Sequence, residues 1–172
     1  MSNWDQIAHH HSWAHVDHKE AEHEVLGMTG DVDGIEIFGQ QVLIGVYIRP
    51  IMSGGNNLII TLGKQQKEDI YQGKVGLVLK VGPRAFGKEQ LADFNGRLPA
   101  RGDWVYFNVN EAFEMSVKGP GALPSVEVLN LKAPDGSKLE REWKQGWPCR
   151  LIYGKDIYGR IDTKTTNLGC IV

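Results

Sequence analysis

The chain has 172 residues, of which 41% are hydrophobic, 23% charged and 9% aromatic, the composition of a folded domain rather than a disordered tail or a fibre. Nineteen Lys and Arg against 21 Asp and Glu leave a formal charge of -2, so no basic excess exists to neutralise a phosphate backbone and nucleic acid is not an expected partner. Apolar runs break at Gly, Lys or Arg well short of the roughly 20 residues of a spanning helix, and the polar N-terminus has no signal-peptide core, so a cytoplasmic protein with no membrane partner is expected.

Residues 1–34 read as an N-terminal helical arm. Ser2 or Asn3 can cap a helix, no Gly or Pro interrupts residues 2–24, and Trp4, Ile7, Ala8, His11, His15 and His18 recur at three- and four-residue spacing. All six histidines lie between His9 and His23. On a helix, His11, His15 and His18 share one face with Glu22 one turn further, which makes them candidate zinc or nickel ligands. The alternative is a solvated polar face, or one packed on a neighbouring subunit. In either case the imidazoles, titrating near pH ~6.5 when unperturbed, can make the arm sensitive to pH. Trp4, Ile7 and Trp13 are the residues of the arm expected to bind a partner.

From Ile35 the period becomes that of strands, and the 21 glycines, about 12% of the chain against a usual level near 7%, suggest tight turns between short strands. Residues 35–161 read as one β-domain. Gln41 to Ile48 is a strand stopped by Pro50. Ser53-Gly54-Gly55-Asn56-Asn57 is loop chemistry, and Leu58-Ile59-Ile60 follows, caught between that loop and the polar run Lys64 to Asp69, either as an exposed apolar segment for a partner or as an ordinary strand. Gly73 to Val81 alternates as a strand, Gly82-Pro83 ends it, and Trp104-Val105-Tyr106-Phe107 is the next one. Residues 119–148 hold four of the seven prolines and read as an inserted hairpin, with Val126 to Leu131 and Lys138 to Trp143 flanking the turn Ala133-Pro134-Asp135-Gly136. Cys149 to Tyr153 and Ile157 to Ile161 are closing strands, and residues 162–172 form a tail.

Enzymatic motifs do not survive inspection. Gly82 to Lys88 has the glycines and lysine of a phosphate-binding loop after a strand. However, Glu89 stands where a magnesium-binding Ser or Thr belongs, and Pro83 removes an N–H donor, so a surface turn is expected. Arg101-Gly102-Asp103 spells an adhesion tripeptide but precedes a strand as a turn would. There is no Gly-x-Ser-x-Gly elbow, and the β-domain has no histidine to act as a base, so no enzyme and no cofactor is expected. Cys149 and Cys170 form no disulfide framework and no metal spacing, which suits a reducing compartment.

In order, the β segments resemble the GroES co-chaperonin family. The resemblance is carried by Val42 to Pro50, the loop Ser53 to Thr61 with its apolar Leu58-Ile59-Ile60, and Gly73-Lys74-Val75 through Val81-Gly82. It continues in Gly102-Asp103-Trp104-Val105-Tyr106-Phe107 and Leu151-Ile152 through Asp156-Ile157-Tyr158-Gly159-Arg160-Ile161. It covers roughly residues 38–118 and 149–161, and it implies a mainly β fold, a GroES-like Greek-key β-barrel, that assembles with itself into a ring. It further implies that Leu58, Ile59 and Ile60 bind an apolar groove on a GroEL-class chaperonin. In that family the extreme N-terminus supplies a strand to the neighbouring subunit. The arm and the 119–148 hairpin have no counterpart there and suggest a phage-encoded relative. The chain therefore reads as a co-chaperonin acting in the cytoplasm of a bacterial host. The alternative is a virion structural protein, a capsid decoration or head-tail component that contacts the major capsid protein through the same module.

Overall fold

The computed structural model describes residues 18–48, 52–53, 59–60, 63–119, 126–132, 138–142 and 146–163. Within the arm, helix α1 spans His18–Thr29 and ends where Gly30 takes φ +64° and its N–H donates to the Leu26 carbonyl. Left-handed glycine after a last helical turn is the usual way to satisfy an orphan carbonyl without strain. Ala21, Val25 and Thr29 are buried at four-residue spacing, so α1 packs one stripe inward and runs five residues beyond the stretch read as uninterrupted helix.

The strands are β1 (Gln41–Val46), β2 (Met52–Ser53), β3 (Ile59–Ile60), β4 (Val75–Val81) and β5 (Trp104–Phe107), then β6 (Phe113–Val117), β7 (Val126–Lys132), β8 (Lys138–Glu142), β9 (Trp147–Tyr153) and β10 (Ile157–Arg160). Helix α2 (Gly63–Gln72) precedes β4, and a single turn, α3 (Gln90–Asp93), lies between β4 and β5. Six strands form one antiparallel sheet in the order β10-β5-β4-β1-β9-β6, while β2-β3 and β7-β8 are separate two-stranded ladders.

Alternation along the central strands buries both faces of this sheet. One face carries Leu43, Leu77, Leu79, Trp104, Trp147 and Cys149 and is covered by α1 with Val32, Ile35 and Ile37. Val42, Ile44, Val78, Val105, Phe107 and Ile152 form the other, covered by Ala85, Phe86, Phe94 and Leu98 from the chain between β4 and β5. The fold is mainly β, as expected. Among the described residues, however, the sheet is open: β10 and β6 are edges that do not pair with each other, so the expected closed barrel is not what this sheet forms. The physical reason is visible in the two cores. A closed barrel seals a single interior, whereas here helix and loop segments seal both sides of the central strands.

The inserted hairpin is present as β7 and β8, with Val126 opposite Glu142 and Lys132 opposite Lys138. Its point of insertion is sharper than residues 119–148 suggested. Strands β6 and β9 pair directly, Phe113 with Leu151 through Val117 with Trp147, so Trp147 and Pro148 belong to the sheet and the insertion interrupts a β6-β9 hairpin. Among the elements that the sequence did not reveal are helix α2 within a polar run, the edge strand β6, strand β2 and the turn α3. The strand character expected from Ile35 survives only as alternation. Ile35 and Ile37 are half-buried while Glu36 and Phe38 are exposed, and residues 35–38 pair with no strand among the described residues.

Candidate partner-binding site

The apolar tripeptide lies between two firmly held points. On the incoming side β1 runs into Tyr47 and Ile48, both buried; the Tyr47 N–H donates to the Val75 carbonyl, and its ring packs edge-on against Trp104 at 5.8 Å. Trp147 on β9 locks the same point, its Nε1 donating to the Val46 carbonyl at 2.9 Å. On the outgoing side α2 returns the chain to β4, and its end is fixed by a charge from far away in sequence. Arg150 of β9, 2% exposed, donates through Nη2 to the Ile70 carbonyl at 2.5 Å and the Tyr71 carbonyl at 3.3 Å. These are the orphan acceptors of the helix C-terminus, where positive charge is favoured. Glu114 on β6 lies 3.5 Å from the same nitrogen. Burial pushes the guanidinium below its ordinary pKa, with Glu114 and then Cys149 pulling the other way.

Between these points Ile59 and Ile60 pair with Ser53 and Met52 in the β2-β3 ladder, outside the six-stranded sheet. Leu58 lies outside the described residues, as do Trp4, Ile7, Trp13, His11 and His15. Of the candidate metal ligands His18 and Glu22 are described, both half-buried on α1. Among the described residues no group of three His, Cys, Asp or Glu is placed to hold a metal ion.

Both sequence mimics are turns. In residues 82–87 the Gly82 N–H donates to Gln41, the Arg84 N–H to Gly39 and the Ala85 N–H to Gly82, while the Gly87 N–H donates to the Gln90 side chain. Four backbone donors of the loop, those of Gly82, Arg84, Ala85 and Gly87, are therefore spent within the protein. At Arg101-Gly102-Asp103, Gly102 sits at φ +89° and Asp103 is turned back, accepting from Arg97 at 2.7 Å and from the Ala100 N–H at 2.9 Å. Asp103 thus holds the turn that launches β5.

Exposed aromatics gather where β1 begins and β9 ends. Gln41 pairs with Tyr153, the Gly154 N–H donates to the Gln40 carbonyl, and Phe113 on the sheet edge pairs with Leu151. Phe38, Phe113 and Tyr153 are 71%, 70% and 47% exposed. Composition could have flagged none of them, because each lies beside residues that do face the core.

Cys149 is buried between β1 and β6, and burial lifts its thiol from 9.0 to about 12. The thiol should resist alkylation in the native state and react on unfolding. Below pH 9 both states carry the proton, and between pH 9 and 12 only the unfolded chain loses it. Native stability should therefore fall as pH rises across that window, by about 1 kcal/mol per pH unit once the unfolded thiol is ionised. Denaturant unfolding at pH 8 and pH 10.5 should show a drop in the wild type that is reduced in Cys149→Ala; equal drops would rule the thiol out as its source.

Comparison with protein-family models finds no match to the chain, and comparison with curated proteins finds none either. Among the described residues no helix is long and apolar enough to cross a membrane.

Proposed function

We propose that the chain is a non-enzymatic, self-assembling protein of the GroES-like kind, phage-encoded, that caps a GroEL-class chaperonin in the host cytoplasm and engages it through Leu58-Ile59-Ile60. The observation that carries this reading is the position of Ile59 and Ile60 in a two-stranded ladder apart from the main sheet, between a β1 end and an α2 end that are both held firmly. For an apolar segment in a ladder apart from the main sheet, about 1.5 to 3 kcal/mol per side chain is available when a partner buries it. Ordering the segment consumes much of that gain, so binding is weak per copy and strong through a ring. The strands β1, β4, β5, β9 and β10 carry in order the segments that resemble the GroES family.

Self-assembly draws support from residues 35–38. Their alternation is that of a strand with an inward and an outward face, Phe38 is exposed, and no strand of the described residues pairs with them.

The test is negative-stain imaging and co-sedimentation with a purified chaperonin, using wild type, Leu58→Ser with Ile60→Ser, and Phe38→Asp. The wild type should form rings that cap the chaperonin. The double variant should keep its rings and its unfolding free energy within about 0.5 kcal/mol but lose the chaperonin, while Phe38→Asp should lose the ring. A large loss of stability in the double variant would instead place the tripeptide in a core. Association with capsid protein but not chaperonin would move the assignment to the virion alternative.

A further inference from the structure

Helix α2 is poorly equipped to stand alone. Its ten residues, Gly63–Gln72, are mostly polar, with no acidic residue in the first turn and no basic residue in the last. A helix this short is marginal in water even with good formers, and it lacks the end charges that would help. Two elements compensate. Arg150, its side chain 3% exposed, takes two of the C-terminal carbonyls. Strand β8 of the inserted hairpin lies against the same helix, although the hairpin pairs with no strand of the main sheet. Both supports are joined through the chain: β9, which carries Arg150, begins at Trp147 directly after the insertion. Helix α2 in turn begins at Gly63, with only Thr61 and Leu62 between it and Ile60 of β3.

We propose that the inserted hairpin β7-β8 and Arg150 clamp helix α2 from two sides, and that this clamp sets how firmly the neighbouring β2-β3 hairpin is held for its partner. The insertion is then a positioning element. Its contact with α2 transmits to β3 because so short a connection cannot absorb a helix that frays or shifts. Arg150 is a positioning residue for the same helix, acting through carbonyls rather than by touching any partner. The consequence for binding rests on the proposed function; the clamp itself does not.

The insertion can be removed because Val117 pairs with Trp147, so a short Gly-Asn turn in place of residues 120–145 closes a hairpin and keeps the Gly119 N–H bond to the Met28 carbonyl. Hydrogen exchange on the free protein should be compared for wild type, this shortened variant, Arg150→Lys and Arg150→Met. Amides near the C-terminal end of α2 should exchange about tenfold faster in the shortened variant and in Arg150→Met, and less so in Arg150→Lys, which keeps the charge but not the two-carbonyl fork. Amides of β2-β3 should follow, while those of β1, β4 and β5 stay within about twofold of wild type. Unchanged α2 exchange in the shortened variant would overturn the clamp, and so would equal acceleration throughout the sheet. Chaperonin co-sedimentation of the same proteins is read separately. If the wild type does not bind, the proposed function fails and the exchange result still decides the clamp. If it binds, the shortened variant should bind about tenfold more weakly.

Discussion

Trp147→Ala should lower the free energy of unfolding by about 3 to 5 kcal/mol, a large part of what a domain of this size has to lose. Trp147 is 1% exposed, opens β9 opposite Val117, and belongs to the core formed with Val25, Leu77 and Trp104. Truncation removes the largest fully buried side chain of the described residues and leaves a cavity. It also strips the Val46 carbonyl of its Nε1 donor at the point where β1 gives way to the segment bearing the tripeptide. Trp147→Phe separates the two contributions, because it keeps most of the volume and loses the hydrogen bond, at a cost of about 1 kcal/mol plus the smaller cavity. Denaturant unfolding with unchanged slope is the measurement. A loss under about 1 kcal/mol in Trp147→Ala would mean that the surrounding strands collapse freely into the space, which their burial argues against.

Gly154→Ala should cost about 3 kcal/mol for a purely steric reason. Gly154 follows β9 and donates its N–H to Gln40 at 2.9 Å, and a Cβ there would overlap the Ala85 carbonyl oxygen. Its φ is not in the left-handed region, so alanine could adopt the backbone shape; the obstacle is what lies beside it. Nor can the obstacle move easily. The Ala85 N–H is tied to Gly82, whose own N–H is tied to Gln41, and Phe86 stacks edge-on with Phe94 at 5.8 Å. Gly34→Ala is the control, because nothing lies within 4 Å of its added carbon, and it should shift stability by no more than about 0.5 kcal/mol. Comparable melting curves for the two variants would show that the 82–87 turn is free to shift.

Local signals in the chain determined a good deal. The apolar runs at Val42 and Val75, the Trp104 to Phe107 strand and the Leu151 and Ile157 segments are all strands of the sheet, because buried β-branched and aromatic runs have few other ways to pack. Pro134-Asp135-Gly136 announced the β7-β8 hairpin by turn chemistry alone, and the stretch 2–24, uninterrupted by Gly or Pro, announced a helix; of that stretch residues 18–24 are described and lie in α1. The same reasoning recognised Gly82 to Lys88 as a turn, since Pro83 and Glu89 are wrong for a phosphate whatever the fold.

What only the tertiary structure decided is non-local in origin. Helix α2 could not be read from GKQQKEDIYQ, because its C-terminal charge comes from Arg150, a residue that local sequence shows only as a cation inside a strand. The edge strand β6 reads as FEMSV with little apolar pattern, since Phe113, Glu114 and Ser116 are exposed and pairing with β9 alone makes it a strand. Whether the sheet closes was equally out of reach. Period-two alternation marks which residues share a face but not what covers it, and here α1 and the chain between β4 and β5 bury both faces of the same strands. Side-chain period is a property of each segment, whereas closure, capping and coverage depend on which distant segments meet, and the energy that selects them appears only once they have met.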